Sequence, residues 1–152
     1  MRLAVGVLNG VIAGAAGTTA LNAATYLDMA ARGRSTSTAP EDTVEKLAEK
    51  ASVRIPGDQE TRENRVSGLG ALSGIASGVV VGAAVGAFRS AGWRQGVLGT
   101  GLIATLAAMA LTDGTMSFLG VADPSSWSPT DWASDVVPHL AYGFVTAVAL
   151  ER

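Results

Sequence analysis

The sequence predicts an all-α membrane protein in which four transmembrane helices form one membrane domain over residues 1–152. Composition is the first observation, because 48% of the residues are apolar and 16% are charged, whereas soluble domains carry about 25% charge. The distribution of charge is the second, because the charged residues crowd into segment 32–65 and a few short connections. The long uncharged stretches that remain are typical of helices that cross a bilayer. We therefore expect a multi-pass protein of the plasma or inner membrane, in contact with the lipid bilayer.

Two of the uncharged stretches are long enough to span a membrane by themselves. Residues 3–27 and residues 66–88 contain no Asp, Glu, Lys or Arg. At about 1.5 Å of rise per residue, a helix over either stretch exceeds a hydrocarbon core of about 30 Å. These stretches predict the first and second spans.

The third and fourth spans are less uniform. Apolar character runs over residues 95–120 with one ionisable residue, Asp113, inside the predicted span. Residues 136–150 form a shorter apolar stretch between Asp135 and Glu151. A helix of this length needs neighbouring helices to hold it in the membrane, so we expect a bundle.

A short surface helix is predicted between the two spans of each pair, over residues 40–52 and over residues 129–135. Pro40 and Pro129 suit the first position of a helix, where the missing N–H group costs nothing. In the first surface helix, apolar residues recur at helical spacing opposite a charged face, which is typical of a helix lying on a membrane or a bundle. The apolar residues are Val44, Leu47, Ala48 and Ala51.

The second half of the chain resembles the first. Residues 10–22 align with residues 101–113, which places Asn22 on Asp113. A two-residue gap then places Pro40 on Pro129, and a further gap of twenty residues places Gly74 on Gly143. Each unit reads as span, surface helix, span, so we expect two repeats in parallel orientation with both chain termini on one side of the membrane. Repeat one covers residues 1–90 and repeat two covers residues 91–152.

Basic residues favour the cytoplasm for the side that holds the termini. The predicted loop over residues 119–135 contains acids but no Lys or Arg. Arg32 and Arg34 lie just outside the first span on that opposite side and weigh against this orientation. The basic residues on the terminal side are Arg2, Arg89, Arg94 and Arg152.

Glycine recurs every four residues on the first two spans and forms a glycine zipper. A stripe without side chains lets another helix approach closely, and such contacts supply much of the attraction between helices in lipid. The stripe is either a homo-oligomeric interface or pore wall, or it is close packing inside one subunit, and we favour the second interpretation. The glycines are Gly6, Gly10 and Gly14 on the first span and Gly70, Gly74, Gly78, Gly82 and Gly86 on the second.

Four polar residues are candidates for a cluster in the half of the bundle nearest the long loops: Asn22, Asp113, His139 and Tyr142. An ionisable side chain inside a span is costly, which makes Asp113 a functional candidate. Asp and His together can exchange a proton or hold a cation, and Asn and Tyr can orient either of them. The alternative is that the four residues only join helices by hydrogen bonds.

Several function classes find no support in the sequence. The chain contains no cysteine and one histidine, which removes thiol catalysis, cysteine metal sites and a bis-histidine haem site. It contains no Gly-rich phosphate loop ending in Lys-Ser/Thr and no nucleophile elbow. The basic residues are interleaved with acids, so no nucleic-acid-binding face is evident. We expect no metal site and no cofactor, and enzymatic activity is not favoured.

The chain resembles small bacterial multi-pass membrane proteins of the actinobacterial type. The resemblance lies in residues 10–22, in the following Thr25-Tyr-Leu-Asp-Met29, and in residues 129–143 with His139-Leu-Ala-Tyr-Gly. It covers most of the chain. It implies a four-helix integral membrane protein but no activity.

A fainter resemblance concerns small four-helix fluoride channels. Gly17-Thr18 with Asn22 is similar to the Gly-Thr and Asn pattern of that family. Those channels also contain a Thr-Thr-Phe-Ser type break in a later helix, and this sequence has no counterpart. The departure puts any channel function of that kind in doubt.

Two functions follow as hypotheses. The first is a structural or accessory membrane protein that packs with itself, as a homo-oligomer, or with a larger envelope complex. The second is a small ion channel or proton-coupled carrier that uses the polar cluster. A wet cavity that reaches Asp113 would favour the second hypothesis, and a dry bundle would favour the first.

Overall fold

The computed structural model describes residues 2–151, and over these residues the protein is 83% helix without strands. Four helices are long and apolar enough to cross a membrane, which confirms the predicted all-α class with four candidate spans and indicates a membrane protein. The elements are α1 (Arg2–Arg32), α2 (Ala39–Lys50), α3 (Gln59–Ser90), α4 (Gly96–Leu119), a short 3-10 turn (Pro124–Ser126) and α5 (Pro129–Glu151).

The four long helices form a bundle in which neighbours run antiparallel. Helix α1 packs most closely on α3 and α5, and α4 packs on α5 and α3. Along the α1–α3 contact, Gly6 faces Gly86 while Gly14 faces Gly78, so one helix ascends as the other descends. The same ordering holds between α1 and α5, where Ala13 neighbours Thr146 and α1 ends beside the start of α5. The bundle therefore has an up-down-up-down course.

Helix α3 is longer than the predicted span and begins outside it. Its 32 residues reach about 48 Å, and its first seven residues are almost all polar. Asp58 caps this end by accepting a hydrogen bond of 2.9 Å from the backbone N–H of Thr61. The hydrogen bonds from Thr61 hold the pKa of Asp58 below its ordinary value of 3.8.

Helix α2 packs on the N-terminal part of α3, across the start of the predicted span. Glu45 of α2 forms an ion pair of 2.7 Å with Arg62 of α3. The Ser67 hydroxyl donates a 3.2 Å hydrogen bond to Glu41. These contacts place α2 against the extended end of α3, and two surface clefts of about 350 and 300 Å³ lie along α2.

The prediction of a separate surface helix over residues 129–135 is wrong, because α5 continues without a break into the fourth span. Ser128 and Asp131 cap its start reciprocally: the Asp131 N–H donates to the Ser128 hydroxyl, whose hydrogen goes to the Asp131 carboxylate. Pro138 lies inside the helix, where its ring removes only the hydrogen bond to the carbonyl of Ser134. Helices in membrane bundles tolerate such a proline when neighbours support them. Residues 129–137 therefore belong to the same helix as the fourth span and to the bundle.

The interior of the bundle is built from small side chains. The largest fully buried side chains are those of Tyr142, Thr100 and Thr146, and the buried apolar residues around them are mainly Ala and Val. Large apolar residues such as Leu106 and Phe118 point outward instead. This distribution suits a protein whose surroundings are lipid, because there the attraction between helices comes from close packing and not from the burial of large apolar groups.

Candidate functional site

Two of the four predicted cluster residues meet where α4 and α5 pack together. The hydroxyl of Thr112 lies 3.4 Å from the ring Nε2 of His139 and 3.3 Å from the carboxylate of Asp113. The His139 side chain is 10% exposed. Asp113 and His139 are therefore linked through one threonine, in the half of the bundle nearest the long loops.

A second carboxylate, Asp135, completes this group on the other side of the ring. The Nδ1 atom of His139 lies 3.3 Å from the Asp135 carboxylate and 2.9 Å from the Asp135 backbone carbonyl. The Asp135 side chain is 17% exposed, and its Oδ2 atom is buried with no hydrogen-bond partner in the part of the chain that the structure describes. We call Asp113, Asp135, His139 and Thr112 the α4–α5 site.

Sequence reasoning did not include Asp135 in the cluster. It treated this residue as the boundary of the fourth span, because a charged residue beside an apolar stretch usually lies outside the membrane. The continuity of α5 places Asp135 one helical turn before His139, and the spacing of four residues brings the two side chains onto one face. That spacing is the signal that could have identified the pair.

The backbone of His139 is also tied to α4. The Thr105 hydroxyl lies 3.2 Å from the His139 carbonyl and 2.9 Å from the Gly101 carbonyl of its own helix. Gly143, one turn further along α5, packs directly against Thr105 and Gly101 without space for a side chain. These contacts fix the position of the His139 ring relative to α4.

Tyr142 and Asn22 lie apart from the α4–α5 site. The Tyr142 side chain is 1% exposed, and its hydroxyl donates a 2.7 Å hydrogen bond to the Gly78 carbonyl of α3. Asn22 is half-buried on α1. Within residues 2–151 no hydrogen bond joins either residue to Asp113 or His139. Tyr142 therefore ties α5 to α3 and is not placed to orient the histidine.

The glycines on α1 meet glycines on α3 within one subunit. Gly6, Gly10 and Gly14 lie against Gly86, Gly82 and Gly78, and a methyl group on most of them would collide with backbone atoms. The remaining two glycines of the predicted stripe differ. Gly70 packs against Pro40 and Glu41 of α2, and Gly74 faces open space.

The reason for the difference at Gly74 lies in α1. Thr18 stands against Gly78, and between it and the end of α1 the first helix contains no further glycine. The run of glycine contacts between the two helices therefore ends at this level, and no heavy atom lies within 4 Å of a Cβ atom placed at Gly74.

The opposite end of the bundle, near the termini, is closed by an ion pair. Arg89 of α3, 11% exposed, forms a 2.9 Å contact with Glu151 of α5. It also donates to the Thr100 hydroxyl of α4 at 3.3 Å. At the long-loop end, Asp28 pairs with Arg32 and Arg34 at 2.6 Å each. Arg32 also donates to the Ser134 hydroxyl of α5, so each end joins helices that are distant in sequence.

The α4–α5 site combines one imidazole with two carboxylates. Over residues 2–151, no group of three or more His, Cys, Asp or Glu side chains is arranged to hold a metal ion. An imidazole between two carboxylates can accept, hold and release a proton without other ligands.

Comparison with protein-family models, with curated proteins and with solved structures finds no match for this chain.

Proposed function

We propose that this protein is a structural or accessory membrane protein that packs with itself or with a larger envelope complex. The contact between the backbones of α1 and α3 supports this proposal most directly. Gly10 and Gly82 approach so closely that neither position accepts a methyl group, and the largest buried side chain is a single tyrosine. A bundle packed in this way offers rigidity and little interior space for a substrate.

Self-association is tested with fluorescent copies in liposomes. The chain has no cysteine, so Arg94→Cys provides one labelling site at an exposed position between α3 and α4. Donor-labelled and acceptor-labelled copies are mixed, and the lipid excess is raised stepwise. In a homo-oligomer the efficiency of energy transfer stays constant as lipid is added. For independent copies it falls to the efficiency expected of randomly distributed labels.

A partner complex is tested in native nanodiscs drawn from the producing cells. A particle mass above that of one copy with its lipid belt supports the proposal. A single monomeric species in native nanodiscs, together with random proximity in liposomes, would contradict it.

We propose two finer features of the fold: two parallel repeats, and chain termini on the cytoplasmic side of the plasma or inner membrane. The antiparallel packing of neighbouring helices supports the first feature, because it gives α1 and α4 the same direction. The contacts indicate a different register from the sequence alignment, since Gly143 packs on Gly101 as Gly82 packs on Gly10. Gly82, not Gly74, is therefore the counterpart of Gly143.

Cysteine accessibility tests the orientation. An impermeant thiol reagent added outside intact cells should label Arg34→Cys and leave Arg94→Cys unlabelled. The reverse pattern would invert the orientation, and labelling of both positions from one side would contradict the four-span course.

A second candidate function is a small ion channel or proton-coupled carrier. It is favoured by one observation, the hydrogen-bonded connection of Asp113 through Thr112 to the buried His139. Proton flux into liposomes tests it. Asp113→Asn should abolish the flux, whereas Asp123→Asn, a loop residue bonded to Ser125, should leave it unchanged. Absence of flux in the unaltered protein would contradict this candidate.

A further inference from the structure

The hydrogen bonds around His139 determine where hydrogen atoms lie on its ring. On one side, Nδ1 lies within bonding distance of two oxygen atoms of Asp135, its carbonyl and its carboxylate. Both oxygens are acceptors when the carboxylate is ionised. The Nδ1 atom must therefore carry a hydrogen.

The other ring nitrogen faces the Thr112 hydroxyl, which has a single hydrogen to give. That hydroxyl lies 3.0 Å from the Ala108 carbonyl, 3.3 Å from the Asp113 carboxylate and 3.4 Å from Nε2. Since the carbonyl and the ionised carboxylate are the nearer acceptors and neither can donate, the hydroxyl hydrogen belongs to one of them. The threonine oxygen then faces Nε2 as an acceptor, so this nitrogen also donates. Both nitrogens donate only in the imidazolium form.

The charges around the ring fit this form. The charged groups that face His139 are Asp135 on its own helix and Asp113 on α4, and none comes from α1 or α3. One imidazolium between two carboxylates leaves a net charge of −1.

We propose that Asp135, His139 and Asp113 form a proton-binding site, which holds a proton on the imidazole ring of His139. The ligand is the proton itself, and Asp135 is the group that determines how firmly the ring holds it. This inference deepens the second candidate function, since a proton-coupled carrier needs such a site. The site itself exists whether or not protons cross the membrane.

The single histidine of the chain makes the test direct, because every imidazole signal belongs to His139. The protein is labelled with ¹⁵N and ¹³C histidine, placed in lipid nanodiscs and titrated between about pH 4 and pH 9, where histidine changes charge. In Asp135→Asn the protonation midpoint of the ring should shift by about one pH unit, a tenfold change in proton affinity, because the opposite charge at 3.3 Å is gone.

Two variants serve as comparisons for Asp135→Asn. Asp113→Asn should shift the midpoint by less, because Thr112 stands between its carboxylate and the ring. Asp123→Asn, outside the site, should leave the midpoint unchanged. If Asp135→Asn loses its helical circular dichroism and so does not fold, the shift of the His139 midpoint in Asp113→Asn decides the test. An unchanged midpoint in every folded variant overturns the proposal.

The titration of His139 is independent of proton flux. A titrating site without proton flux refutes the carrier and leaves the site, whereas an unshifted midpoint refutes the site whatever the flux.

Discussion

Replacement of Gly82 by alanine tests whether contact between backbones holds α1 and α3 together. The added Cβ atom would lie 2.5 Å from the Cα atom and 2.7 Å from the N atom of Gly14, and closer still to the Gly10 carbonyl oxygen. All three are backbone atoms, so no side-chain rotation relieves the collision. The two helices must move apart or tilt.

Alanine at Gly74 provides a control on the same helix. No heavy atom lies within 4 Å of the Cβ position there. Alanine is favoured over glycine in a helix by about 1 kcal/mol, and this gain applies to both variants. Overpacking in a close-packed interior costs about 1–3 kcal/mol and applies to Gly82 alone. The Gly82→Ala protein should therefore be about 1–3 kcal/mol less stable than the Gly74→Ala protein.

Unfolding in mixed micelles measures the difference. Helical circular dichroism is followed as the mole fraction of dodecyl sulfate rises, and the free energies of unfolding of the two variants are compared under identical conditions. The energy-transfer assay is run on both variants, so that an effect on self-association is separated from an effect on the subunit. Equal stability of the two proteins would refute the backbone contact, and lower stability of Gly74→Ala would show that the open face of α3 is covered.

Three further predictions follow from single contacts. Tyr142→Phe should lower the free energy of unfolding by about 0.6–1.5 kcal/mol in the same assay, because the variant lacks the hydroxyl that bonds to the α3 carbonyl. The matched control Tyr26→Phe, at an exposed residue, should leave this free energy unchanged. Arg89→Met should destabilise by about 1–3 kcal/mol, less than for a fully buried pair because its α5 partner is 39% exposed, and Arg94→Met should be neutral. Asp58→Ala should weaken the hydrogen-exchange protection of the first α3 amides. In the unaltered protein that protection should decline only below about pH 4, since a cap whose pKa is lowered is lost as the pH falls through that lowered value.

The number and class of helices could be predicted because they depend on properties that a sequence displays directly. An uncharged stretch has a length, and the thickness of the hydrocarbon core decides whether that length spans it. The close contact of Gly10 with Gly82 was similarly accessible, since only glycine allows backbones to meet. The end of that contact could not be predicted from the sequence. The four-residue spacing continues through Gly74, but the partner helix has no glycine beyond Gly17, and the end of the contact is a property of the pair.

The start of α5 shows the same limit of prediction from sequence, here for a residue of the candidate site. A proline and an aspartate next to an apolar stretch are typical of a boundary, and by that reasoning Asp135 belongs to the surface. In the structure the helix passes through Pro138 with α1 and α4 packed against it, and Asp135 lies half-buried beside His139. A boundary residue and the partner of a buried histidine therefore have the same local sequence. They are distinguished by the hydrogen bonds of His139, which depend on α4 and which only the assembled bundle provides.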